Sequence, residues 1–168
     1  MCWYTCKKEH LQKKTAESDI KVIKILMRGA NGKFYSPYHS MRYPIGKVRH
    51  SVIDNPVCYE HYNAWNIRNG LHSYSTEIKF VVDVHYRLCI MPKEGSERNR
   101  LDYWYWYPEA EAVIFEAVIP KGSEYYENEG GEYVSSQLKV VNIIAEIDNK
   151  LLIYEDKICA LNEKIRNL

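Results

Sequence analysis

Two cysteine–histidine groupings are the first residues whose type and spacing suggest chemistry. Cys2, Cys6 and His10 stand as C-x3-C-x3-H, and Cys58 and His61 add a C-x2-H pair. Thiolate and imidazole are the ligands tetrahedral zinc prefers, so Cys2, Cys6, Cys58 and His61 make a conceivable four-donor set. The spacing matches no strong zinc signature, and ordinary buried or solvated side chains are the better expectation, with no metal bound. The histidines form no H-E-x-x-H pair, and no G-x-S-x-G, Walker loop or Rossmann glycine pattern occurs. A second grouping is aromatic. Tyr103-Trp104-Tyr105-Trp106-Tyr107 follows Arg98 and Arg100 in a chain with 15 tyrosines. As a strand it sets the tyrosines on one face and both tryptophans on the other. Rigid amphipathic rings beside cations suit a protein interface or a stacked nucleotide base, although at least one of the two faces must serve ordinary packing.

A third grouping is spread along the chain. Leu26-Met27-Arg28-Gly29, Ser73-Tyr74-Ser75-Thr76 and Phe115-Glu116-Ala117-Val118-Ile119-Pro120 occur in that order. The order resembles the Arg, Ser-Thr-Ser and Glu elements of ADP-ribosyltransferases. The resemblance implies that Arg28 binds the phosphates of NAD, Ser73 orders the site and Glu116 stabilises the oxocarbenium-like transition state at the ribose. Ile114 departs from the pattern, because arginine-modifying members carry a second Glu or Gln there. The plainer reading is a solvated Arg28, a turn Ser73 and an edge-strand Glu116, with no catalysis and no cofactor. An NAD-using ADP-ribosyltransferase-like enzyme stays as the alternative.

The elements that must position these residues are mostly strands. Ile20–Met27 alternates apolar residues with lysine, and Asn31-Gly32 then turns the chain into Lys33–Pro37, a hairpin signal. Pro44, Gly46, Pro56 and Gly70 punctuate the next stretch, with a possible strand at Lys47–Val52. Ile78–Ile90 fits both a strand face and a helical face, its β-branched content favouring the strand. Ala112–Ile119 and Leu138–Val141 read as strands, with turns at Pro120-Lys121-Gly122 and Glu129-Gly130-Gly131. From residue 142 the pattern changes to heptads. Ile144, Leu151, Ile158 and Ile165 take the a positions, and Ile147, Tyr154, Leu161 and Leu168 the d positions. Lysines at g with Asp148, Glu155 and Asn162 at e suit a parallel coiled coil and self-association, whereas Leu152 and Ile153 widen the apolar face as in a helix folded back on its own domain. The expected class is therefore α+β. A basic arm spans 1–18, a domain with a mainly antiparallel, twisted sheet spans 19–141, and an amphipathic helix spans 142–168. Val22, Ile25, Val82, Val84, Val113, Phe115, Val118, Val140 and Ile143 are the core candidates.

Composition bounds what such a domain can do. The chain has 168 residues, enough for one self-sufficient core, and its 27% charged residues with 13% aromatics exclude a disordered or collagen-like chain. With 23 Lys+Arg against 22 Asp+Glu, the net charge of +1 supplies no general attraction to nucleic acid or anionic membrane. No apolar run reaches the roughly 18 residues of a membrane span, and the first residues lack a secretory signal, which reads as cytoplasmic. Five cysteines without framework spacing then predict no disulfide.

Several stretches carry a further resemblance. Met1-Cys2-Trp3, Asp19–Val22, Phe34–Tyr38, Gly70–Ser75, Ile119–Tyr126 and Gly131–Ser136 are similar to small uncharacterised proteins of gut Bacteroidetes, their phages and mobile elements. The similarity spans residues 1–141 and leaves the heptads outside it. It implies an α+β domain in a setting where counter-defence and virion-accessory roles are common, and it assigns no catalytic residue. The expected function is a non-catalytic binding module, in the host cytoplasm or on a virion. It would engage a protein partner, a second copy through the helix, or a small nucleotide.

Overall fold

A computed structural model describes residues 3–29, 31–36, 41–59, 64–76 and 111–147. Among them run twelve strands: β1 (Trp3–Thr5), β2 (Lys14–Thr15), β3 (Ile20–Arg28), β4 (Phe34–Tyr35), β5 (Val48–His50), β6 (Val57–Tyr59), β7 (Ala64–Ile67), β8 (Leu71–Ser75), β9 (Glu111–Ile119), β10 (Glu124–Glu127), β11 (Glu132–Ser135) and β12 (Gln137–Ile147). A three-stranded sheet has the order β1-β7-β6, and a larger one has the order β2-β10-β11-β8-β3-β9-β12-β5, with β4 also paired to β3. Every pairing with a defined register is antiparallel. Among the described residues the one helical element is a 3-10 turn at Lys8–Leu11, and no helix is long and apolar enough to cross a membrane.

The chain divides into two compact units. The first comprises Met1–Lys24, Ile45–Ile78 and Glu116–Asn142. Its core gathers Trp3, Ile53, Ile67, Tyr126 and Val134, with Leu11 against them. Trp3 lies 6.0 Å from Tyr126, ring to ring, and its indole N–H donates to the Glu132 carbonyl at 3.2 Å, so the polar edge of a buried ring is satisfied. Antiparallel pairing sets Trp3 opposite Ile67 and Tyr125 opposite Lys14, which builds residues 3–15 into the sheets.

The second unit comprises Ile25–Pro44, Lys79–Phe115 and Ile143–Leu168. Ile25, Leu26 and Met27 of β3 and Val113, Ile114 and Phe115 of β9 are all buried there. Phe34 meets Phe115 edge-on at 4.7 Å, and the Arg28 guanidinium lies over the Phe34 ring. Gly32 takes a φ of 69° in the β3–β4 turn, the positive value that a tight hairpin asks of this position.

The α+β class is corrected by these strands: the described part of the chain is all-β. Residues 142–147, expected to open a helix, continue β12 without interruption. Val140, Val141, Ile143 and Ile144 have β-branched side chains, stiff at χ1 and suited to a pleated surface, and β9 alongside supplies the hydrogen-bonding partner. Arg28 then pairs with Glu146 near the end of the same strand. The coiled-coil reading falls with the helix, because Ile144 and Ile147, its first a and d positions, stand in a strand of period two. Leu151, Tyr154, Ile158, Leu161, Ile165 and Leu168 lie outside the described residues, as do Val82, Val84 and the ambiguous Ile78–Ile90. Of the remaining core candidates, Val22, Ile25, Val113, Phe115 and Val140 are buried, Val118 is half-buried, and Ile143 is exposed.

Gly70 is the tightest backbone position of the first unit. Its φ is 137°, and a Cβ built there would stand 2.2 Å from Cγ1 of the buried Val134. Gly70→Ala is expected to destabilise the protein by about 2 kcal/mol, through backbone strain and displacement of Val134. A melting temperature equal to that of the unsubstituted protein would contradict this packing.

Candidate functional site

The residues proposed from sequence for ADP-ribosyl transfer are each held by different neighbours. Arg28 is ion-paired to Glu146 and stacked on Phe34. Glu116 accepts a hydrogen bond from the Asn142 amide at 3.2 Å. Ser73 is only 1% exposed, and among the described residues its Oγ has no hydrogen-bond partner. A hydroxyl so enclosed is closed to a dinucleotide.

β8, the strand of Ser73, has an ionisable neighbour across the sheet. The antiparallel pairing of β3 with β8, Val22 opposite Ser75 and Ile23 opposite Tyr74, leads β3 into Lys24 beside this strand. Lys24 is buried, and its ammonium donates to the His72 carbonyl. Burial disfavours the charged form and pulls the Lys24 pKa down to about 7.

The β10–β11 turn gathers three carboxylates around the N-terminal segment. Thr5 Oγ1 donates to Glu129 at 2.7 Å, and His10 Nε2 lies 3.6 Å from the same carboxylate. Tyr133 donates its hydroxyl to Glu127 at 2.7 Å, and Lys14 pairs with Glu127 at 3.0 Å. Asn128 donates to the Tyr4 carbonyl and to Glu132, both at 2.7 Å, and accepts from the Gly130 and Glu132 amides. Burial pushes the Glu127 and Glu129 carboxyls up. Hydrogen bonds from Tyr133 and Lys14 to Glu127, and from Thr5 to Glu129, outweigh that and leave both below the usual carboxylate range. Burial prevails at Glu132, whose carboxyl is pushed up. These groups are engaged with one another, so the cluster fastens residues 3–15 to the hairpin.

A different surface is open. Pro44 and Gly46, the latter at a φ of 77°, lead into β5, and Gly46 N–H donates to the Val140 carbonyl at 2.7 Å. After β5, Ser51 N–H donates to the Ser136 carbonyl at 2.9 Å. Ile53 then plunges into the core, which turns its neighbour Val52 outward. Asp54 accepts a hydrogen bond from the Asn69 amide at 2.7 Å before the chain enters β6. The result is a short segment with four large apolar side chains in solvent: Ile45 at 46%, Val48 at 40%, Val52 at 80% and Val57 at 54% exposure. A groove of about 450 Å³ opens beside it, lined by His50, Ser51, Val52, Ser136 and Gln137. Sequence reasoning saw a short strand here without its importance. The available signal was the alternation of Lys47 and Arg49 with Val48, typical of an edge strand guarded by charge.

Cys6 and Cys58 are both exposed thiols, and among the described residues no group of three or more His, Cys, Asp or Glu side chains gathers to hold a metal. Cys2 and His61 lie outside those residues, as do Arg98, Arg100 and Tyr103, Trp104, Tyr105, Trp106 and Tyr107. Comparison with protein-family models, curated proteins and solved structures gives no match for this chain.

Because the Lys24 pKa in the folded protein, about 7, lies below its ordinary 10.5, the unfolded chain binds the extra proton between those values. Stability from this group is therefore complete above pH 10.5 and lost as pH falls toward 7. The slope is up to about 1.4 kcal/mol per pH unit. Lys24→Met is expected to flatten the dependence over that window and to raise the melting temperature at neutral pH. Denaturant unfolding across the pH range checks it, and an unchanged slope in the variant would refute the assignment to Lys24.

Proposed function

We propose that this chain is a non-catalytic interaction module that engages a protein partner through the segment containing Ile45, Val48, Val52 and Val57. The observation that supports the reading is the concentration of exposed apolar side chains there. Four of the six large hydrophobic residues exposed among the described residues fall in this one segment, beside the groove at His50 and Gln137. Scattered apolar residues on a surface need no explanation, whereas a cluster rimmed by polar side chains marks a contact surface. The enclosed Ser73 and the separately engaged Arg28 and Glu116 weigh against the transferase alternative. The nucleotide-signal reading depends on Arg98, Arg100 and Tyr103–Tyr107, and no described residue favours it. The resemblance to small proteins of phages and mobile elements supports a host defence factor or a virion protein as the partner, met in the bacterial cytoplasm or on the particle.

Affinity capture from host lysate tests the reading, with Val52→Glu/Val57→Glu beside the unsubstituted chain. Both positions are exposed, so the double variant is expected to keep its melting temperature while losing at least ten-fold in captured partner. Equal capture by both proteins would remove this surface from the function. Incubation with labelled NAD is expected to transfer nothing. Transfer by the unsubstituted chain that Glu116→Gln abolishes would establish the enzyme instead.

A further inference from the structure

We propose that β5 receives an extended, acidic segment of the partner protein as an added strand, an inference that rests on the interaction-module reading. In an antiparallel pair, residues that exchange hydrogen bonds alternate with residues whose N–H and C=O point away from the partner strand. Ser51 N–H bonds the Ser136 carbonyl, so the pair 51:136 is of the first kind, and the register Arg49↔Leu138 makes that pair the same. Val48 and His50 therefore aim their amides and carbonyls outward. Among the described residues β5 ends the order of its sheet, with no further strand paired to its outer edge. Two donors and two acceptors stand ready in the geometry of strand addition.

The side chains specify what kind of strand fits. Val48 and His50 share one face of β5 and Lys47 and Arg49 the other, because successive side chains alternate. Across the ladder, Lys139 stands opposite Val48 and Gln137 opposite His50. Residues 45–53 and 133–142 contain Lys47, Arg49, His50 and Lys139 and no aspartate or glutamate. Arg49 is half-buried, with its Nε enclosed and its charge at the margin of the sheet. A strand with carboxylates beside these cations and apolar residues over Val48 and Val52 satisfies both patterns. The β5 strand of a second copy fails the charge pattern, since β5 paired with itself sets Lys47 and Arg49 against like charges.

Fluorescence anisotropy of the full chain with two labelled, capped octapeptides tests the inference. One alternates glutamate with valine and the other lysine with valine. The glutamate peptide is expected to bind at least ten-fold more tightly, and to weaken as salt is raised. Val48→Pro deletes an outward N–H that the β5–β12 ladder does not use, and should weaken that binding at least ten-fold with the melting temperature unchanged. Lys47→Glu/Arg49→Glu should invert the preference between peptides, which keeps the test decisive if the proline variant unfolds. Equal affinity for the two peptides, binding of neither, or full binding by a folded Val48→Pro would overturn strand addition. Those failures leave the interaction-module reading standing if Val52→Glu/Val57→Glu still abolishes capture of a cellular protein, and end it too if it does not.

Discussion

The strand β3 sets the terms on which the rest of the chain folds. From Val22 to Met27 every residue is buried, so both of its faces are removed from water. Its backbone polar groups then have no solvent to fall back on, and each must find a partner in a neighbouring strand. β8, β9 and β4 meet that demand by flanking it in the sheet. Val22 and Ile23 serve the first unit's interior and Ile25, Leu26 and Met27 the second's. Double-sided burial also explains Lys24: at the centre of such a strand even the position a lysine occupies is enclosed, and its ammonium donates to the His72 carbonyl.

A second constraint operates at the β10–β11 turn. Asn128 satisfies two amides of its own turn and reaches across to the Tyr4 carbonyl, so one side chain shapes the hairpin and fastens the N-terminal segment. Trp3 adds apolar area beneath and a hydrogen bond to Glu132 above. Three glutamates close together would repel one another. Their neighbours Thr5, His10, Lys14 and Tyr133 distribute them among separate contacts, which is why an acidic cluster of this kind holds structure together instead of presenting a site.

Much of the strand framework was legible because it is local. Alternation in Ile20–Met27 and the β-branched run around Val113 needed no distant information, and Gly32, Gly122 and Gly131 mark turns by their positive φ. The failures are non-local. Ile143, Ile144 and Ile147 suit a heptad as well as a strand, and pairing with β9, distant in sequence, decides between them. Ser73 looks like any turn serine until β11 and β3 flank its strand and bury it, and Trp3 gives no sign that it will centre a core. The open segment was unreadable for a related reason. Exposure of Val48 and Val52 depends on β5 being last in its sheet, and strand order is a property of the whole chain.

Strand order also bears on what the protein is for. Polar groups that catalyse must be positioned yet left free to meet a substrate, and here Arg28, Glu116, Glu127, Glu129 and Glu132 are all occupied by other side chains. Among the described residues, the backbone groups of Val48 and His50 face outward at the margin of the larger sheet, and Ile45, Val52 and Val57 expose apolar surface in the same segment of chain. Evolution ordinarily blunts such an edge with charge, and Lys47 and Arg49 place like charges where a second β5 would pair. The same charges leave it receptive to a strand of opposite sign, so one pair of side chains can suppress self-association and select a partner.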